Sequence, residues 1–351
     1  MGTVYVGGSA TPIRIGDRVR PAHRFEGRAD AAVVVGIDAG RRHLTTAVAD
    51  IGGTELTRQR TPFDDGHHSP DQRRAAAATA VDEALQAAGR ARSDVLAICI
   101  GVPAPVDSAG ASPPHRDGLW RRMNPDFAEF FAAWAPLVRV ANDASLAAVA
   151  EGSVGAAIGC RDYVTLLAGE RLGAGVVVDG HLLRGAHGGV ADMVAFNHVI
   201  GVEGTWGLGY RARQWAREAV PAGEVAPGSS LTGSEPQNLD VRTVLLAARA
   251  GDPDAQRIAA RVSATLGIVA GIFGSLFDPR RVIVSGPFSE EAAEVVAAAR
   301  VALPHDLDLP APELVTSQLG RHVVCIGAVA AALDLARNGV LDLTHSRRTA
   351  G

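Results

Sequence analysis

The chain has 351 residues, 47% of them hydrophobic, with a formal net charge of −4 and a mean hydropathy of +0.11, so it is long and apolar enough to bury more than one core. No block of like charge marks a nucleic-acid surface or an acidic tail, and all 34 basic residues are arginine, which removes a P-loop lysine, a Schiff-base lysine and a lysine general base. Cys99, Cys160 and Cys325 lie far apart without a CxxC pair, so neither a disulfide framework nor a cysteine zinc site is legible, and a reducing cytoplasm is the expected location.

Residues 1–31 lack sustained periodicity and carry turn-formers and arginines, which predicts an arm with one short hairpin. The fold begins near Ala32. "VVVGIDAGRRHLTTAVAD" reads as a strand, a tight turn at Asp38-Ala39-Gly40 and a second strand, and "IGGTELTRQRTPF" follows it. "SPDQRRAAAATAVDEALQAAGRA" opens on Ser69-Pro70-Asp71 and keeps small apolar residues at helical spacing, which predicts a helix. Next come the buried strand "VLAICIGVPAPVD" with a proline-rich end, an irregular segment holding Trp120, a short helix around Phe127 and the strand "LVRVAND".

"DYVTLLAGERLGAGVVVDGHLL" repeats the opening pattern of strand, Gly-containing turn and strand, which suggests a duplicated α/β unit. After it come the helix "AQRIAARVSATLGIVAGIFGSLF", the strand "RRVIVSG", the helix "EEAAEVVAAARVAL" and a closing helix "RHVVCIGAVAAALDLARNGV" suited to packing back on the first unit. No N-terminal stretch joins a basic region to an apolar run, and Gly, Pro or charge interrupts the longer apolar stretches. No membrane segment is predicted.

Taken in order, "GIDAG", "IGVPAPVD", "VANDASLAAVAEGSVGAA", "LGAGVVVDGHLLRGAHGG" and "VIVSG" resemble the ROK family of bacterial sugar kinases, transcriptional repressors and related proteins, over residues 32–340. The resemblance implies an α/β fold of two duplicated RNase H-like lobes, the actin/hexokinase-like fold, with a central cleft. It divides the chain into an arm (1–31), an N-terminal lobe (32–140), a C-terminal lobe (141–318) and a helix with a tail returning to the first lobe (319–351).

In kinases of that family the first turn runs Asp-x-Gly-Gly-Thr, and its small residues let backbone N–H groups approach the phosphates of ATP. Asp38 and Gly40 match, but Arg41 and Arg42 replace the second glycine and the threonine. The second turn, Gly-Thr-Gly-Ile-Gly in kinases, is Gly169-Glu170-Arg171-Leu172-Gly173, which sets a carboxylate where polyphosphate belongs. The adenosine-side Gly-Gly is Ser285-Gly286. Asp38, Gly40, Gly169, Gly173 and Gly286 therefore outline a degenerate nucleotide site, although a guanidinium fork also suits phosphate.

The sugar side keeps more of the pattern. The resemblance makes Asn142 a sugar ligand and Asp143 the base that takes the proton of the attacking hydroxyl, while an Asn-Asp pair before a helix also reads as an N-cap. "RGAHGGVADMVAF" aligns Asp192 with the sugar-contacting glutamate and sets His187 between glycines as a further sugar contact. The family histidine is Ala195 here and the CxCGxxGCxE motif is absent, so no structural zinc and no other metal site is expected. His198 reads as a hydrogen-bonded core residue. Asp117 or Asn124 answers to the family's sugar-binding asparagine, and Trp120 either stacks on a sugar or anchors the helix beside it.

"RVRPAHRFEGRADAA" resembles the joint that follows a winged helix-turn-helix in the family's repressors, but only about 20 residues precede it, too few for the DNA reader. Three functions are considered, and the first leads, as a protein that is not an enzyme, because the departures cluster on the nucleotide side while Asn142 and Asp143 remain. The first is a sugar-binding sensor or regulator, a homo-oligomer with a carbohydrate ligand, no cofactor and no nucleic-acid contact of its own. The second is a sugar or amino-sugar kinase using Mg-ATP, and the third an enzyme of another class that recruited the cleft.

Overall fold

The computed structural model describes residues 7–15, 18–26, 29–63, 69–233, 235–303 and 309–349. β1 (Gly7–Ile15) and β2 (Arg18–Glu26) pair antiparallel as the expected hairpin. β3 (Val33–Ala39) is buried at all seven positions, as its unbroken apolar run requires of a central strand covered on both faces. β4 (His43–Asp50) and β5 (Glu55–Pro62) extend it as an antiparallel meander.

α1 (Pro70–Ala87) starts on a reciprocal cap: Gln72 N–H donates to Ser69 Oγ at 3.2 Å, and Ser69 N–H donates to Gln72 Oε1 at 2.8 Å. Its stripe of Arg73, Ala77, Ala80 and Ala84 is buried against the sheet. β6 (Val95–Val102) joins β3 in parallel. After the short helices α2 (Leu119–Met123) and α3 (Phe127–Phe131), β7 (Leu137–Asn142) joins β6 in parallel and ends lobe one, ordered β5-β4-β3-β6-β7.

α4 (Asp143–Val154) leads into the second lobe. β8 (Tyr163–Ala168), β9 (Leu172–Val178) and β10 (His181–Leu182) repeat the meander. α5 (Leu208–Ala219), α6 (Val241–Arg249) and α7 (Pro253–Phe277) follow. β11 (Arg281–Ser285), α8 (Ala293–Val301) and β12 (Glu313–Thr316) then complete a sheet ordered β10-β9-β8-β11-β12. The two sheets share one strand order and one mixture of pairings, so the repeat read from the two turns is a repeat of whole lobes.

Among the described residues, α7 alone is long and apolar enough to cross a bilayer. It is the core helix of lobe two, with Val262, Leu266, Val269 and Phe273 buried in that lobe's cluster. The last helix, α9 (Val323–Thr349), packs against β3, β6 and α4. Small residues let α4 and α9 cross closely: a Cβ on Gly327 would lie 1.9 Å from the Leu146 carbonyl oxygen. Together the two helices cover Val34, Ala97 and Cys99 on the inner face of sheet one.

Candidate active site

β3 of sheet one and β8 of sheet two end in turns that approach each other, with Glu170 beside Arg41 and Arg42. Asp38, at the end of β3, is 4% exposed, and its Oδ2 lies 2.8 Å from His43 Nε2. The His43 ring covers Gly40, where a Cβ would meet the ring's Cε1 at 2.4 Å. Beneath the turn, α1 inserts Arg73, which is 1% exposed. Its Nε donates to the Met123 carbonyl at 3.2 Å, and its Nη2 donates to the carbonyls of Gly40, at 2.9 Å, and Ala39. Burial lowers the pKa of this guanidinium to about 10 against the opposing field of the Asp38 carboxylate. Sequence reasoning missed both His43 and Arg73. The available signal was helical spacing, because Arg73 falls on the buried stripe of α1.

The second turn joins β8 to β9 and faces the first. Glu170 lies 3.8 Å from Arg41 Nη1 and 3.8 Å from Arg42 Nε, so one carboxylate bridges the lobes between two guanidiniums. The charge of Glu170 is thus offset by the very arginines that displaced the glycine and threonine. Arg171 turns elsewhere: its Nη1 donates to Thr205 Oγ1 at 2.6 Å, and its guanidinium lies 4.7 Å from the Trp206 ring centroid. Gly169 and Gly173 flank this turn, and Gly173 faces Ala144 of α4. At the third position Ser285 Oγ donates to Glu151 Oε1 at 2.8 Å, and Glu151 Oε2 accepts the Ala156 N–H at 2.9 Å. The serine ahead of Gly286 therefore ties β11 to α4.

On the sugar side, Asn142 caps α4 by accepting the Ser145 N–H at 3.0 Å on Oδ1. Its Nδ2 donates to the Ala104 carbonyl and to Asp143 Oδ1, both at 3.2 Å. Asp143 Oδ1 also accepts the Ala144 N–H at 2.8 Å. Both bonds fall on Oδ1, which leaves Oδ2 to accept a proton. Burial, reinforced by the Asp38 carboxylate, pushes the Asp143 pKa up to about 7, against the pull of its backbone and Asn142 hydrogen bonds.

The structure thus brings Asp38, Gly40, Asn142 and Asp143 to the same end of the sheets. Asp192 and His187 sit on an exposed loop instead. Asp192 Oδ1 accepts the Val194 N–H at 3.3 Å and caps the short turn of helix that follows. Of the two candidates for the upstream asparagine, Asp117 is exposed and Asn124 is 4% exposed, with Nδ2 donating to the Gly110 carbonyl at 2.9 Å and Ser112 Oγ at 3.0 Å. Trp120 packs on the lobe-one core and meets His115 at a ring separation of 4.7 Å, in line with an anchor. His198 is exposed and not the core residue expected, because Met193 and Phe196 supply the buried side of its turn. No group of three or more potential metal ligands occurs among the described residues.

The model of the ROK family matches residues 34–334. A glucokinase from Streptomyces coelicolor is 26% identical over 324 residues, covering 87% of this chain and 98% of the relative. The crystal structure of a ROK family glucokinase from Streptomyces griseus, in complex with glucose and AMPPNP, superposes with a TM-score of 0.70 at 26% identity, covering 88% of this chain and all of the other. A ROK family transcriptional regulator homologous to Mlc of Escherichia coli shares the fold, with a TM-score of 0.72 at 21% identity over 92% of this chain and 83% of its own. The fold is the actin/hexokinase-like one that the sequence resemblance implied. The sensor reading that led on the sequence is thereby less supported than its alternative, a sugar kinase, because the similarity that goes beyond fold is to glucokinases.

Proposed function

Because the chain belongs to the ROK family, we propose that it phosphorylates a sugar, with Asp143 as the general base. The observation that carries this reading is the state of Asp143: a carboxyl with one oxygen held, the other open, and a pKa of about 7, which is matched to taking a proton near neutral pH. The sugar hydroxyl gives its proton to Asp143 as its oxygen takes the transferred phosphoryl group. Asn142 fixes the carboxylate's rotamer from the side, and Arg73 holds the turn that carries Asp38.

The donor side fits Mg-ATP by charge and not by backbone cradling. Glu170 bridges Arg41 and Arg42 at distances beyond hydrogen bonding, with side chains 30% to 55% exposed, so each pair is worth at most about 1 kcal/mol. A polyphosphate with charge-assisted bonds to the same forks displaces such a carboxylate. Mg-ATP, when bound, supplies the phosphoryl group and the cation charge that Asp38 would face.

A coupled assay of ADP release over a panel of hexoses and N-acetylhexosamines tests this. Turnover with at least one sugar is expected, with kcat reduced about a hundredfold or more in Asp143→Asn and little change in the sugar's KM. Absence of turnover across the panel would refute it. A second reading, sugar binding without transfer, is supported by the His43 ring over Gly40 and by the Glu170 bridge, both on the phosphate side. Stabilisation by a sugar with no response to Mg-ATP selects that reading.

A further inference from the structure

Beside the sugar side of the cleft runs a crevice walled by β7, the turn at Val106 and Asp107, α4, the end of β10 and α9. Its volume of about 50 Å³ exceeds the roughly 10–15 Å³ that one water requires. Two guanidiniums line it from opposite lobes, Arg139 on β7 and Arg184 just beyond β10. Arg139 is register-paired with Cys99 of β6, so its side chain leaves the sheet on the face that α4 and α9 cover.

Burial raises the Cys99 thiol to about 12, and the charges that oppose this rise are Arg139 and Arg184, so both fields reach the same buried sulfur. Neither guanidinium makes a hydrogen bond or ion pair with a described residue. The carboxylate in the wall, Asp107, has Oδ1 committed to the N–H groups of Ala109 and Ala111, each at 2.9 Å. Ser145 adds a hydroxyl to the same wall. Two guanidiniums against one carboxylate leave the crevice cationic, which favours an oxyanion, and guanidinium forks match phosphate geometry.

We propose that this crevice is a second ligand site, which binds a phosphate group between Arg139 of lobe one and Arg184 of lobe two, with the Ser145 hydroxyl as a further donor. It is distinct from the phosphate-donor turns, which carry Arg41, Arg42 and Glu170. Asn142 belongs to both neighbourhoods, because it lines the crevice and holds Asp143. Occupancy therefore bears on the geometry of the base.

Calorimetric titration of inorganic phosphate into the full chain tests the site, alongside Arg184→Gln, Arg139→Gln and the pair Arg41→Gln with Arg42→Gln. The expected result is binding that weakens about tenfold in each crevice variant and persists in the paired variant. Arg184 is exposed, so its substitution leaves folding intact and decides the matter if Arg139→Gln does not fold. No binding, equal binding by Arg184→Gln and the native chain, or loss of binding in the paired variant would overturn the proposal. A parallel titration with glucose 6-phosphate names the source: tighter binding than phosphate, lost in Arg184→Gln, supports a phosphorylated sugar at this site, whereas weaker binding supports free phosphate.

Discussion

Replacing Asp143 with asparagine should stabilise the protein at alkaline pH while removing its proton acceptor. The carboxyl titrates at about 7 in the folded chain against an ordinary 3.8, so the folded state prefers it protonated. The stability tied to that preference is complete below about pH 4 and is lost as pH rises through about 7. At about 1.4 kcal/mol per pH unit, holding the charge costs about 4 kcal/mol at pH 8, an upper figure because Asp143 is only partly shut off from water. Asparagine keeps the shape and never ionises. Urea denaturation of both proteins across pH 4 to 8 should therefore show curves that nearly coincide at the acid end and separate toward pH 8, where the variant is the more stable. A native protein equally or more stable than the variant at pH 8 would refute the assignment of Asp143 as a strained base. In the kinase assay, the native kcat/KM should rise with pH through about 7.

Arg73→Met removes the donors to the buried carbonyls of Met123, Ala39 and Gly40 and should cost about 3 kcal/mol or more, read by urea denaturation. Glu170→Gln should change stability by less than about 1 kcal/mol, because its ion pairs are long and half exposed, yet tighten Mg-ATP by removing a carboxylate that competes with phosphate for Arg41, read by calorimetry. Ser285→Ala leaves a fully buried Glu151 oxygen without its donor and should destabilise by about 1–3 kcal/mol, measured by the same denaturation.

The elements legible in the sequence were those whose stability is local. The capping box at Ser69, the uninterrupted valines of β3 and the Asn-Asp pair before α4 each announce themselves within a few residues. β10 and β12 are two and four residues long, too short for a period of two to register, and α5 carries Arg211 on its buried face. The site followed the same division. Asp143 could be placed from its neighbours, but the bridge from Glu170 to Arg41 joins residues distant in the chain, and a reading along the chain sees only a carboxylate out of place. Asp192 lies on an exposed loop, where its Oδ1 accepts the Val194 N–H. Arg73 shows how a buried cation hides in a polar-looking pair, with Arg74 beside it pairing with Asp71 at the surface.

The closing helix also sets a schedule for synthesis. Val34, Ala97 and Cys99 present an apolar sheet face whose cover is shared between α4 and α9, and α9 emerges from the ribosome roughly 180 residues after β7. At about 5–20 residues per second, that face waits on the order of ten to forty seconds for its partner. Throughout that interval the nascent first lobe carries a half-open core on a chain still growing. Demand for a chaperone, and any tendency to aggregate during expression, should therefore concentrate on sheet one, and a ribosome stalled before α9 should leave lobe one sensitive to protease.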